Sequence, residues 1–331
     1  MSSSSDSIEI PKYGLPAPIV RSFGWAMLAI LAAFLINNVL TVAYDFPGAS
    51  AVFGEGGGLS ILQVAIYLIG IALAVIYVLR TGDRSLRWES HSIHLFNLYL
   101  VRVCFWAVLL VGAVDVTIAF MRVEDLLSYF MGEDSVRALG RARFVGTWIH
   151  MPLIAASFII GAFTRTLGFT WLALLIVIAE LLIVITRFVF SYEQALMGDL
   201  VRYWYAALFL FASAYTLFDE GHVRVDVLYS GFRRRTKGWV NAVGALALGM
   251  TTSWIIIEIG FDGPRSIINS PVGNFEISQT GAVGMFIKYQ MAAFIGIFAI
   301  TMLIQFVSYF FEAVADYRDE PGHRDHEPVT Q

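Results

Sequence analysis

The chain has 331 residues, of which 58% are hydrophobic and 15% charged, and its formal net charge is −4. Soluble globular domains carry about 45–50% apolar and about 25% charged residues. This composition therefore excludes a chain that is a disordered tail throughout, and it argues strongly against a soluble enzyme. The acidic balance lacks the basic character of nucleic-acid-binding proteins, and a single cysteine excludes a disulfide within the chain. A mean hydropathy of +0.70 indicates a polytopic membrane protein.

Eight apolar runs predict transmembrane helices, because a helix needs about 20 predominantly apolar residues to cross a bilayer. No run alternates polar and apolar residues over about 10 positions, as the strands of a membrane β-barrel do. Only helices and closed barrels satisfy the backbone in lipid, so the predicted fold class is an all-α integral membrane protein. The predicted spans are 22–44, 59–79, 98–121, 144–163, 170–190, 200–218, 239–260 and 283–311.

The distribution of Lys and Arg predicts the orientation of these spans. If the N-terminus is cytoplasmic, the cytoplasmic segments carry more than twice as many Lys and Arg residues as the opposite side. Cytoplasmic loops are enriched in these residues, so the pattern predicts an N-in, C-in topology with an even number of helices. The segment 122–143 carries four arginines on the outer side, and is either an interfacial helix lying on the membrane or a solvated loop.

Motifs for common enzyme chemistry are absent from the sequence. It has no G-x-S-x-G elbow, no H-E-x-x-H zinc motif and no Walker A loop. His150 is the only histidine within a predicted span, which disfavours a haem held between two helices. We therefore expect a protein that is not an enzyme, with no catalytic residue, no cofactor and no metal site.

Ionisable side chains inside predicted spans are costly in lipid and are candidate functional groups. Most of them lie near a helix end, where a long side chain reaches the interface. These are Arg102, Asp115, Arg187, Asp199, Arg202, Glu258 and Lys288. Glu180 differs, because it lies about 15 Å from either end of the span 170–190. Glu180 must therefore be protonated, paired with another helix or facing a second subunit. The preferred interpretation is a neutral or hydrogen-bonded packing carboxyl, and the alternative is a proton-coupling group.

Specific polar motifs begin at the fifth predicted span. Asp219-Glu220-Gly221-His222-Val223-Arg224-Val225-Asp226 follows the sixth span and precedes the basic segment 233–237. In Gly198-Asp199-Leu200-Val201-Arg202 the acidic and basic residues are three apart and share one helix face. Further charged residues are Arg187 near the end of the fifth span, Glu276 in the loop before the eighth span and Lys288 near the start of the eighth span.

These motifs resemble those of the small membrane subunit of TRAP transporters (tripartite ATP-independent periplasmic transporters) over about 170–311. That family has an E-E-x-x-R start to its second helix and an E-G-x-H-[IV]-R-V-D stretch after it. Asp199 and Arg202 match the second acidic position and the arginine. The chain departs from the pattern at Gly198, where the first acidic residue is usual, and at Phe188, where a tyrosine is usual.

The resemblance implies a four-helix core at 170–311, preceded by a four-helix membrane extension at 22–169, with tails at 1–21 and 312–331. It implies a small, scaffolding permease subunit of a secondary transporter that imports an organic acid, typically a carboxylate, across the bacterial inner membrane with an ion gradient. The implied partners are a large membrane permease subunit, a periplasmic solute-binding protein and membrane lipid. The alternative function is a self-contained secondary carrier in which Glu180 is the coupling carboxylate.

The resemblance also identifies candidate subunit-interface residues. Asp199 and Arg202 form either a simple pair on one helix or a contact with a partner subunit. For His222 and Asp226 an interface contact is preferred, whereas for the basic segment 233–237 the preferred role is binding anionic headgroups. The complete set of candidates is Arg187, Asp199, Arg202, Glu220, Gly221, His222, Arg224, Asp226, Glu276 and Lys288.

Overall fold

The fold was taken from a computed structural model, which describes residues 10–54, 57–192, 194–218 and 229–323. Every regular element within these ranges is a helix, and eight helices are long and apolar enough to cross a membrane. The predicted all-α class and the number of spans are therefore confirmed. The eight helices are α1 (Pro18–Tyr44), α2 (Gly57–Arg80), α3 (Leu86–Val123), α4 (Ala142–Phe163), α5 (Phe169–Phe190), α6 (Ala195–Phe218), α7 (Arg234–Gly260) and α8 (Lys288–Tyr317).

The largest difference between a predicted span and a helix is at the start of α3. The apolar run begins at residue 98, whereas the helix begins at Leu86. The additional turns contain Arg87 and Glu89, whose side chains are buried in ion pairs with other helices. Because these partners satisfy the charges, the helix continues through a segment that hydropathy alone assigns to a loop.

The last helix is also displaced from its predicted bounds. It begins at Lys288 rather than at residue 283, because residues 284–286 belong to a loop whose backbone groups bind side chains. It continues to Tyr317, beyond the predicted end at 311. The first residues assigned to the charged tail are therefore helical.

Two short helices, Leu127–Phe130 and Glu133–Leu139, lie between α3 and α4. Leu127 and Leu139 are buried in a small apolar cluster with Val145 and Phe286. Tyr129, Phe130 and Met131 are exposed instead. Part of the apolar content of this segment is therefore used in packing within the chain.

The chain divides into two compact units, and the unit boundaries fall within helices. Unit 1 comprises Met1–Asn97, Thr216–Ile255 and Met302–Gln331. In this unit α1 and α2 form a helical hairpin, in which the Asn37 side chain donates to the backbone carbonyl of Gln63 at 3.0 Å.

Unit 2 comprises Leu98–Tyr215 and Ile256–Thr301. Its apolar core brings together α3, α5, α6 and the start of α8, and its most buried members include Val111, Leu196, Tyr203 and Met285. A side chain on Gly112 would collide with the indole of Trp204, so glycine permits the close approach of α3 and α6. This core supports the polar groups that surround the N-terminal end of α8.

Candidate functional site

The loop that precedes α8 is the point in unit 2 where charged side chains from several helices meet. Asp199 of α6 accepts a hydrogen bond from the backbone N–H of Met285 at 3.1 Å. Asp115 of α3 accepts one from the N–H of Phe286 at 2.8 Å. Both carboxylates are buried. Since the N-terminal end of a helix carries partial positive charge, two negative groups beside this approach to α8 are electrostatically favourable.

A chain of hydrogen bonds runs from Asp115 through the interior of unit 2. Asp115 lies 3.1 Å from Nε2 of His150, and Nδ1 of His150 lies 2.9 Å from the hydroxyl of Tyr289. Gln290 donates to the Tyr289 hydroxyl at 3.0 Å, and the hydroxyl of Tyr203 donates to Gln290. With Nε2–H donating to Asp115, a neutral His150 accepts at Nδ1, so every donor points toward the carboxylate. Such networks fix one arrangement of a buried polar core.

His150 is positioned for this network by a local irregularity in α4. Residues Gly146–His150 form a turn of π-helix within an otherwise α-helical span. Turns of this kind occur frequently at functional sites. A side chain on Gly146 would collide with the ring of Phe275, so glycine allows α4 to pack closely against the loop before α8.

Asp199 is the most highly coordinated of the residues singled out from the sequence. Besides the Met285 amide, the same carboxylate oxygen accepts from Thr280 at 3.0 Å and from Ser278 at 3.3 Å. A side chain on Gly284 would collide with Thr280 and Asp199. Arg202 lies 3.7 Å from the other carboxylate oxygen, with 72% of its side chain exposed. The expected pair on one helix face is thus present, and its arginine is largely accessible.

Arg122, at the C-terminal end of α3, holds the same loop from another direction. Its guanidinium donates to the backbone carbonyls of Ala282 at 2.8 Å and Gly284 at 2.6 Å. It also lies over the ring of Phe286, at 4.0 Å from the centroid. Arg122 and Asp115 together give α3 two contacts to the loop, one of each charge.

Glu276 and Lys288 lie at the two ends of this loop and are joined by an ion pair of 2.5 Å. Their side chains are 44% and 45% exposed, respectively. The backbone N–H of Tyr289 donates to the carbonyl of Glu276 at 3.1 Å. The pair therefore closes the loop at its base and remains accessible to solvent or to another chain.

Unit 1 contains a second group of buried charges. Arg21 of α1 pairs with Glu89 of α3 at 2.6 Å, and neither side chain is exposed. Arg21 also donates to the backbone carbonyl and the hydroxyl of Thr81, and Trp25 donates to Glu89 at 3.1 Å. Tyr77 of α2 also donates to Glu89 at 3.3 Å, so this ion pair joins the first, second and third helices.

Arg87, near the start of α3, is a second buried arginine of unit 1. It pairs with Glu312 and, at 2.7 Å, with Asp316, both on the last turns of α8. It also donates to backbone carbonyls of residues 320–321. Arg234 of α7 lies 3.4 Å from Asp316. The carboxylates of α8 thus connect the helix to α3 and α7.

The structure brings together four of the residues selected from the sequence and leaves others elsewhere. Asp199, Arg202, Glu276 and Lys288 lie around the loop before α8, whereas Arg187 is exposed near the end of α5. Glu180 is also exposed on α5, and its role as a packing or a coupling carboxyl stays a prediction. Five further candidates lie outside the described residues, namely Glu220, Gly221, His222, Arg224 and Asp226.

The sequence did not indicate three central residues of this arrangement as site residues, namely Asp115, His150 and Arg122. Of these, only Asp115 was among the charged residues noted within the predicted spans. Each is an isolated ionisable residue at a helix end or in an apolar run, without a neighbouring motif. The presence of His150 and Asp115 as ionisable residues within apolar spans was the available signal.

A comparison with family models gives a match for the second half of the chain. Residues 173–315 match the model described as tripartite ATP-independent periplasmic transporters, DctQ component. The matched segment contains most of α5, all of α6 and α7, and most of α8, and it leaves α1–α4 outside. Comparisons with curated proteins and with solved structures found no match.

Proposed function

We propose that this chain, whose residues 173–315 match the model of the DctQ component of TRAP transporters, is a small permease subunit that acts as a scaffold in the import of an organic acid driven by an ion gradient. The family match carries the assignment as a small permease subunit of a transporter. The scaffolding role, the class of substrate and the energy source are the proposed parts.

The use of buried charges supports a scaffold rather than a carrier. Asp115, Asp199 and Arg87 each bind groups of this chain, and their side chains are buried. A carrier needs polar groups inside the membrane that are open to its solute. Here the buried polar groups hold helices together, which is what a rigid supporting subunit requires.

The proposed complex has two further proteins and a defined location. A large permease subunit in the same membrane carries the solute and ion sites, and a periplasmic binding protein delivers the organic acid. The chain is a multi-pass protein of the bacterial inner membrane with both ends in the cytoplasm, as the distribution of Lys and Arg predicts. Membrane lipid surrounds its apolar helices.

The accessible charges around α8 are the proposed contacts with these partners. The exposed guanidinium of Arg202 and the half-exposed pair of Glu276 and Lys288 lie around one loop. Exposed charges rimming an interface set its specificity and its rate of association. Arg187 and the motif at 220–226 are proposed as further contacts on the basis of the family resemblance.

Reconstitution into liposomes tests the proposed function. The chain alone, the large permease alone, both together, and both with the binding protein are incorporated and supplied with a panel of radiolabelled short-chain carboxylates. Uptake is expected only with all three proteins and only in the presence of an ion gradient. ATP inside or outside the vesicles should make no difference.

Two outcomes would overturn this proposal. Uptake by the chain alone would establish the alternative of a self-contained carrier. Full uptake by the large permease and the binding protein without this chain would remove the scaffold role. Measuring the amount of each protein in the vesicles separates a transport defect from a failure of incorporation.

A further inference from the structure

Glu180 occupies the least buried spanning helix of the described structure. Only 11% of the apolar window of α5 is buried, compared with 50% for α8. One narrow stripe of α5, which includes Leu172 and Ala179, packs into the apolar core of unit 2. Glu180 lies outside this stripe and its side chain is exposed. The carboxyl therefore points away from the chain's own core.

The surroundings of Glu180 on α5 are uniformly apolar. Val177 and Val184 share its face at spacings of three and four residues and are 63% and 48% exposed. Leu181 next to it is 56% exposed. Among the residues that the structure describes, none forms a hydrogen bond or ion pair with Glu180. An apolar face thus has one unsatisfied carboxyl at its centre.

This position is unfavourable in lipid for either protonation state. An ionised carboxylate is strongly disfavoured in hydrocarbon, and a neutral carboxyl without a hydrogen bond is also disfavoured. Glu180 is about 15 Å from either end of α5, so its side chain cannot reach the polar interface. Glu258, by contrast, is exposed two residues before the end of α7, where a carboxylate reaches water.

We propose that the face of α5 formed by Val177, Glu180, Leu181 and Val184 is covered by a transmembrane helix of the large permease subunit. That helix presents a hydrogen-bond donor, a cationic or amide side chain, to Glu180 near the middle of the membrane. The inference rests on the proposed function, which supplies a membrane-embedded partner. A periplasmic protein cannot reach this depth.

Charge complementarity favours the large permease over a second copy of this chain. A symmetric contact between two α5 helices places the same surface on both sides of the interface. Two ionised Glu180 carboxylates facing each other would repel and have no donor, so such a contact requires at least one of them to be protonated. A different chain with a donor at the same depth satisfies the carboxylate completely.

Co-purification of the large permease with the tagged, full-length chain tests this contact. Glu180→Leu is expected to lower the recovered permease by about threefold to twentyfold, the range for one hydrogen bond between membrane helices. Glu180→Gln should lower it less, because the amide still forms hydrogen bonds. Glu258→Leu is the matched control and should leave recovery unchanged. Since leucine is favourable in lipid, Glu180→Leu should insert as the wild type does.

Photo-crosslinkers at Val177 and Val184 identify the neighbour in the same complex, and an adduct with the large permease is expected. If the wild-type chain recovers no permease, the proposed function itself fails. If the wild type recovers it and Glu180→Leu recovers as much, only the present inference fails. Adducts solely with lipid or with a second copy of the chain would also overturn it.

Discussion

The backbone N–H groups before α8 and the acidic side chains at its last turns are bound by residues of opposite charge. At the loop before α8, in unit 2, the carboxylates of Asp115 and Asp199 accept from successive backbone N–H groups. At the last turns of α8, in unit 1, the guanidinium of Arg87 binds Glu312 and Asp316. A helix carries partial positive charge at its N-terminus and partial negative charge at its C-terminus. Each end therefore has partners of the sign that its dipole favours.

The comparison shows what the N-terminal helices contribute. Both Arg87 and Asp115 belong to α3, which lies outside the segment that matches the family, 173–315. In each unit, a residue of α3, which lies outside the matched segment, thus contacts α8 or the loop before it. The bonds at the two ends differ in kind. At the last turns of α8 they are ion pairs of Arg87, whose side chain is 1% exposed. At the loop before α8 they are hydrogen bonds from backbone amides to carboxylates.

Among the substitutions that test this comparison, Arg87→Leu should cause the largest loss of folding stability. It removes the buried cation that Glu312 and Asp316 share, although Arg234 stays 3.4 Å from Asp316. Removing one partner of a buried ion pair costs about 3–5 kcal/mol. Because the side chain of Glu312 is 28% exposed, we expect a loss near the lower limit, about 3 kcal/mol. Thermal stability of the purified full-length chain in detergent, followed by size-exclusion chromatography after heating, measures it.

Arg137→Leu is the matched control for this change. Arg137 also pairs with two carboxylates, Glu133 and Asp134, but its side chain is 65% exposed. Exposed pairs contribute less than about 1 kcal/mol, so this variant should melt close to the wild type. Equal melting temperatures for both arginine variants would show that Arg87 does not hold the end of α8.

Asp115→Asn tests the loop before α8 and should cause an intermediate loss of stability. The amide keeps one acceptor but loses the charge that the N–H of Phe286 and the ring of His150 share. Hydrogen bonds to charged groups contribute about 1.5–3 kcal/mol, so we expect a loss of about 2 kcal/mol. The same melting assay measures it, with Asp134→Asn, whose side chain is fully exposed, as control. A larger loss than for Arg87→Leu would reverse the proposed order of the two ends.

Hydropathy was sufficient to predict the spans whose polar residues lie at their ends. In α2, for example, the run ends at Arg80 and contains no other charge, so the predicted and observed bounds differ by one or two residues. The first turns of α3 could not be predicted in this way. Arg87 and Glu89 are tolerated there because they form ion pairs with Glu312 and Arg21. These partners lie far away in sequence, so no local pattern indicates the pairs.

The candidate site was predictable only where its members are close in sequence or belong to a motif. The spacing of Asp199 and Arg202 predicted their pair on one helix face. The contact between Asp115 and His150 joins residues 35 positions apart on different helices. Their proximity depends on how α3 and α4 pack, which no local pattern specifies.

The smallest expected effect is a pH dependence at Glu320, just past the end of α8. Burial raises the pKa of the Glu320 carboxyl above its usual value of 4.5, although Arg318 at 3.2 Å acts in the opposite direction. The folded state therefore binds this proton more tightly than the unfolded state, and stability falls as pH rises from the usual carboxyl value through the raised one. Glu320→Gln removes this ionisation. Between about pH 4 and about pH 7 the wild type should lose stability relative to the variant. Melting temperatures of both proteins across that range measure the difference, and a shift in favour of the wild type with rising pH would contradict the burial of Glu320 beside Arg87.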